Sequence, residues 1–198
     1  MISLKENVTN EIVIEKSKFI TKLLYVNEFE DIPLLLEQVK QEYPMATHYC
    51  YAYIFEERKR MSDDGEPSGT AGMPMLNVLE MNSLDHILCV VIRYFGGIKL
   101  GTGGLVRAYT KSVTEALLKG EIITLLPGLE VQIEFDYSHT KKIQYLCRNY
   151  EIVTKQFLNH VVYTLHIPKD EWEEFHKSVE TYITRYQVLD ELNIKKEA

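Results

Sequence analysis

The chain has 198 residues, 45% hydrophobic and 26% charged, a balance that supports a packed core and excludes extended disorder. Its net charge of -7 is spread over both halves, so there is no basic arm, and any contact with nucleic acid has to come from a local, salt-sensitive patch. Cys50, Cys89 and Cys147 are odd in number and set in apolar segments, which argues against a disulfide framework. With no basic-then-apolar leader and no apolar run of roughly 18 residues, the reading is a cytoplasmic protein without a membrane segment.

Two β-rich runs, Glu11 to Ile14 and Phe19 to Val26, open the chain. A helical pattern follows from about Glu28 to Tyr43, with Leu35, Val39 and Tyr43 on one face, and Pro44 stops it. Residues 47–55 alternate and are rich in aromatics, which predicts a strand with both sides mostly buried. A polar loop from Glu56 to about Gly72 leads to a short helix near Pro74 to Leu79. His86 to Tyr94 is a nearly continuous apolar run, suited to a central strand covered on both faces. Helical spacing returns from Gly103 to Lys119, with Gly120 as the stop.

Leu126, Pro127 and Gly128 mark the expected boundary between domains 1–127 and 128–198. The second half reads as a strand from Leu129 to Tyr137, a helix from Ser138 to Asn149 and two strands around Ile152 to Ile167. A helix from Asp170 to Tyr182 and a strand from Gln187 to Leu192 complete it. That is the βαββαβ order of ferredoxin-like domains, with Ser138 and Asp170 as N-caps.

Eight of the ten glycines lie between Gly65 and Gly104, in the segments 62–74 and 93–104. Glycine weakens a regular element, so such clustering points to loops that need positive φ or close backbone approach. In the second loop Gly101, Thr102, Gly103 and Gly104 run into a helix start, whose free N–H groups favour a phosphate or other anion, and Arg93, Lys99 and Arg107 flank it. A purely structural glycine turn is the alternative. The pattern matches neither a P-loop nor a dinucleotide fingerprint.

The first loop holds Asp63, Asp64 and Glu66. These are possible oxygen ligands for Mg²⁺. The favoured reading is structural: an Asx turn at Asp63 or Asp64, positive φ at Gly65, and Glu66 paired with Arg93, Lys99 or Arg107. His48 and Cys50 share a strand face, with His86 and Cys89 on a neighbouring strand, but the spacing fits no standard zinc site and buried cysteine usually packs as a small apolar group. No metal and no cofactor is assigned. The second domain fails the test for a base-stacking RNA sheet, because Glu130, Gln132, Glu134 and Asp136 line the face opposite Val131, Ile133 and Phe135.

With these residues in view, the chain resembles the YigZ/IMPACT family in its bacterial two-domain form. The resemblance is carried by Ala46-x-His48-x-Cys50-x-Ala52, by the segment from Ser62 to Leu76 and by that from Val90 to Tyr109, so it covers the first domain densely and the second by pattern alone. It implies an α+β protein with a first domain like the second domain of ribosomal protein S5 and a ferredoxin-like second domain like domain V of elongation factor G. Eukaryotic members of the family regulate translation under amino-acid starvation. Carried over, the site is Asp63, Asp64, Glu66, Arg93, Lys99 and Arg107 with Gly101, Gly103 and Gly104.

The function expected is a translation-linked binding module contacting RNA, the ribosome or a translation factor through the surface of residues 62–109. An Mg²⁺-dependent phosphoryl-transfer or phosphate-ester enzyme, and a protein-interaction regulator without a ligand, are the alternatives. No nucleophile with an attendant base is evident, which disfavours an enzyme.

Overall fold

The computed structural model describes residues 1–196, with side chains as far as residue 194; the last two residues of the second expected domain lie outside it. The chain separates into two compact units, one of residues 1–124 and one from residue 125 onward. Both are α+β.

The first unit contains β1 (Ile2–Leu4), β2 (Val8–Ile14), β3 (Ser17–Tyr25), α1 (Asp31–Glu42), β4 (His48–Phe55), β5 (Arg58–Ser62), α2 (Gly72–Met81), β6 (Ile87–Tyr94) and α3 (Gly101–Leu117). Its sheet has the order β2-β3-β6-β4-β5, antiparallel throughout. The apolar run predicted to be central is the middle strand, β6. Its alternation sends Ile87, Cys89 and Val91 into a core shared with Leu79 of α2 and Tyr109 of α3. Leu88, Val90 and Ile92 enter a second core with Ile32 and Val39 of α1. A fully buried aliphatic side chain is worth about 1.5–3 kcal/mol, so five of them, with the buried Cys89, pin this strand firmly. Arg93 is next in line, and parity sends it to the face that carries α3.

Several local expectations are corrected. Residues 58–62 are a strand, not part of a loop: Arg58, Lys59 and Arg60 are exposed on the sheet edge, where charge guards an open ladder and no apolar alternation is required. The three-residue β1 was not foreseen. Helix α3 starts at Gly101, two residues early, and ends at Leu117, before Lys119. The expected domain boundary at Leu126 to Gly128 lies inside β7 (Ile122–Phe135), close to the division between the two units after Thr124. Pro127 falls between the part of β7 paired with β1, up to Thr124, and the part paired with β9 (Val161–Pro168), from Gly128, so its missing N–H breaks neither ladder.

In the second unit β9 also pairs with β8 (Glu151–Phe157), and β10 (Ile183–Lys196) pairs with β7, giving the order β10-β7-β9-β8. With α4 (Thr140–Leu146) and α5 (Trp172–Val179) this is the βαββαβ succession expected. Val131, Ile133 and Phe135 are fully buried with Ile143 and Phe175, while Glu130, Gln132 and Glu134 are on the less buried side. The caps differ from expectation. Ser138 is not the cap; its N–H donates to the Asp136 carboxylate at 2.8 Å and opens a 3-10 turn ahead of α4. Nor does Asp170 cap α5, which starts after Glu171 without a side-chain cap.

Candidate functional site

Three strands bring one row of side chains to the face under α3. Arg93 on β6 stands opposite Phe19 on β3 and His48 on β4. The segment between β5 and α2 folds over this row, and the segment between β6 and α3 borders it, so the two glycine loops meet although α2 and β6 separate them in sequence.

The contact between them is a buried ion pair. Glu66 and Arg93 are 8% and 4% exposed, and Arg93 Nη1 donates to Glu66 Oε1 at 2.5 Å. Tyr109 Oη donates to the same oxygen at 2.8 Å. The second Arg93 amino group donates to Ser17 Oγ at 3.3 Å, and the guanidinium packs over the rings of Phe19 and Phe95. A pair this deep recovers its desolvation cost only because several hydrogen bonds and ring contacts hold both ions. Burial, with the adjoining Cys50 and Glu66, drives the Tyr109 hydroxyl far above its ordinary pKa, so it stays a donor.

Asp63 and Asp64 serve the loop itself. Asp63 accepts from the backbone N–H groups of Gly69, Ala71 and Gly72 at 2.8, 2.9 and 2.8 Å. Burial pushes its pKa up, but the three donors outweigh that and leave it below the ordinary value. Asp64 Oδ2 accepts from the Tyr49 N–H at 2.6 Å. Gly65, at φ +84, takes the left-handed turn between Asp64 and Glu66.

His48 is oriented from the same loop. Its Nδ1 donates to the Asp64 carbonyl at 2.7 Å, which makes Nε2 an acceptor in the neutral ring. Nε2 lies 3.8 Å from Glu66 Oε2. That oxygen, unlike Oε1, accepts no hydrogen bond from any described residue. Cys50 donates to the Asp63 carbonyl at 3.0 Å, is fully buried, and has its thiol pushed up to about 12, chiefly by burial. It is a packed thiol, not a nucleophile.

Two adjoining cavities open beside this network. One, of about 330 Å³, has Glu66, Pro67, Arg93 and Phe95 on one side and Lys99 and Gly101 on the other. The second, of about 520 Å³, is bordered by Glu15, Lys99, Gly104, Arg107 and Lys111. Lys99 and Leu100 border both. The structure therefore brings Glu66, Arg93, Lys99 and Gly101 together and sets Gly104 and Arg107 around the second cavity; Gly103 lies next to Arg107. Asp63 and Asp64 border neither. No side chain caps the first turn of α3, and Gly101 at φ +67 has open space where a Cβ would stand. Among the described residues Lys99 and Arg107 have no carboxylate partner, and no group of three or more His, Cys, Asp or Glu is placed to hold a metal.

The Impact N-terminal domain model matches residues 15–117, just over half of the chain and the whole of this site. The chain belongs to the IMPACT family. A further family model, a domain of unknown function, matches residues 133–179. An IMPACT family member from Haemophilus influenzae is 41% identical over 75% of this chain and 74% of its own length. The IMPACT family member YigZ from Escherichia coli is 40% identical over 67% of this chain and 68% of its own. A solved structure described as a hypothetical protein superposes with a TM-score of 0.64 at 33% identity, covering 99% of this chain and 98% of that one. No helix among the described residues is long and apolar enough to cross a membrane.

Sequence reasoning about this IMPACT domain missed Tyr109, Ser17 and Phe95. Tyr109 stood only as the end of the segment from Val90, within the helical stretch from Gly103 to Lys119. Ser17 sits in a hairpin remote in sequence and gave no signal. Phe95 had one: a large aromatic placed just before a Gly-Gly pair, where a core residue is out of place.

Proposed function

We propose that the chain is a translation-linked RNA-binding module whose contact surface is the concave strip formed by the second glycine loop and the first turns of α3. The observation that carries this reading is a pair of exposed cations, Lys99 and Arg107, with no carboxylate partner among the described residues, bordering a cavity of an acidic protein. Unpaired cations in a recess offer phosphate oxygens a place to displace counterions. The open first turn of α3 adds N–H donors of the same polarity. The translational setting is the one the family resemblance implies.

An Mg²⁺-dependent reaction would call on Asp63 and Asp64 as metal ligands, and both carboxylates already accept backbone N–H bonds, so no observation favours that reading.

Binding of purified ribosomes and transfer RNA, measured across a salt series, tests the proposal. Lys99→Ala and Arg107→Ala each weaken association, and each lowers the slope of log affinity against log salt by about 0.7–0.9. Binding that ignores salt, or no association at low salt while a translation factor is retained on the immobilised protein, overturns it in favour of a protein partner.

A further inference from the structure

The smaller cavity has features that backbone neutralisation does not use. It is a recess of about 330 Å³, at the lower end of the range for small-ligand sites. Phe95 on its wall is 46% exposed, an unusual state for a phenylalanine at the end of a central strand. The Arg93 guanidinium lies 5.5 Å from the ring centroid and backs the ring from the core. Beside it, the Glu66 side chain is 4% exposed and borders the same cavity, and its Oε2, 3.8 Å from His48 Nε2, accepts no hydrogen bond from any described residue. Across from it stand Lys99, Gly101 and Thr102, the last two in the uncapped first turn of α3.

These parts ask for one kind of occupant. An aromatic ring held from behind and open in front offers a stacking platform. A carboxylate oxygen without a donor, on a side chain only 4% exposed, calls for an N–H. Uncapped helix N–H groups with a lysine call for an anion. A planar group bearing N–H on its edge and an anion on a short tether is a nucleotide.

We propose that this cavity receives a single nucleotide, with its base against Phe95, an N–H of the base donating to Glu66 Oε2, and its phosphate at Gly101 and Thr102 beside Lys99. Within an RNA, the chain would then continue from that phosphate past Lys99 towards Arg107 and Lys111. Every base has a π face and all four common bases carry an edge N–H, so the site tolerates sequence and requires an unpaired base. This inference rests on the RNA-binding reading for the source of the nucleotide; the cavity's chemistry is the same for a free nucleoside monophosphate.

The experiment compares a fluorescently labelled single-stranded RNA octamer with an abasic ribose-phosphate chain of the same length. Wild type binds the octamer more tightly, Phe95→Ala weakens octamer binding by about five- to hundredfold, and the abasic chain binds both proteins alike. Lys99→Ala weakens both ligands. Phe95→Leu keeps the apolar packing without an aromatic ring; it serves if Phe95→Ala fails to fold, and is expected to bind the octamer as weakly. Octamer affinity unchanged in both variants overturns the base pocket while leaving the RNA reading intact. If wild type binds neither polymer, the RNA reading fails. NMR titration with free nucleoside monophosphates then decides: shifts of the Phe95 ring and the Gly101 and Thr102 amides sustain the pocket, and their absence overturns it.

Discussion

The two glycine loops look alike in composition and do opposite work. Around Asp63 the loop turns inward: its N–H groups at Gly69, Ala71 and Gly72 close on the Asp63 carboxylate, and a Cβ on Gly72 would stand 2.9 Å from the Ser62 nitrogen. At the start of α3 the loop turns outward, with no side chain over the first turn and nothing within 4 Å of where a Gly101 Cβ would be. Gly72 lets backbone approach backbone; Gly101 leaves backbone open to a ligand. Glycine enrichment by itself does not distinguish them. The fate of the nearby donors does, since a loop that consumes its own N–H groups has none to offer.

The sharpest way to break this contrast is to cut the bridge between the loops. Glu66→Ala strands the Arg93 cation in the core and costs about 3–5 kcal/mol, read as a lower urea midpoint. Replacing both partners by apolar groups, Glu66→Leu with Arg93→Met, recovers most of that loss. A double variant no more stable than Glu66→Ala would show that the pair is more than a matched burial.

Next comes the inward loop. Asp63→Ala orphans three N–H groups, which water reaches only in part, and costs about 2–3 kcal/mol. Asp63 also predicts a pH effect of smaller size. Its carboxyl titrates below the ordinary value in the folded state, so the stability it confers is present above the unfolded pKa of about 3.9 and is lost as pH falls through the lower folded value. Wild type therefore loses more stability between about pH 5 and pH 2 than Asp63→Asn, followed by thermal melts. Parallel curves for the two would remove the three-donor account.

Much of this architecture is legible in the sequence, and the parts that are not share a cause. The run at residues 87–94 announces a doubly buried strand because burial on both faces demands uninterrupted apolar residues. The acidic face of β7 is equally plain from alternation. Residues 58–62 are silent because an edge strand can be held by its backbone ladder with polar side chains throughout. The pairing of Glu66 with Arg93 was within reach as one of three candidate cations, but choosing among them needs the strand parity that turns Arg93 under α3 and leaves Lys99 and Arg107 outside. Tyr109 and Ser17 complete the network from positions whose roles exist only once β3, β6 and α3 are packed. Local pattern speaks to which face a residue takes, not to which neighbour waits there.

The mildest test is the most discriminating between the loops. Gly101→Ala places a methyl group in open space, so its cost is only that of a left-handed alanine, about 1 kcal/mol. Gly72→Ala, by contrast, drives a Cβ onto the Ser62 backbone and destabilises more. Binding reverses the order. The methyl at Gly101 stands at the mouth of the first turn of α3, where an anion would approach the amides, so RNA affinity corrected for the folded fraction falls for Gly101→Ala and holds for Gly72→Ala. Equal binding losses in the two variants would mean that the outward loop has no ligand of its own and that its openness is a property of the turn alone.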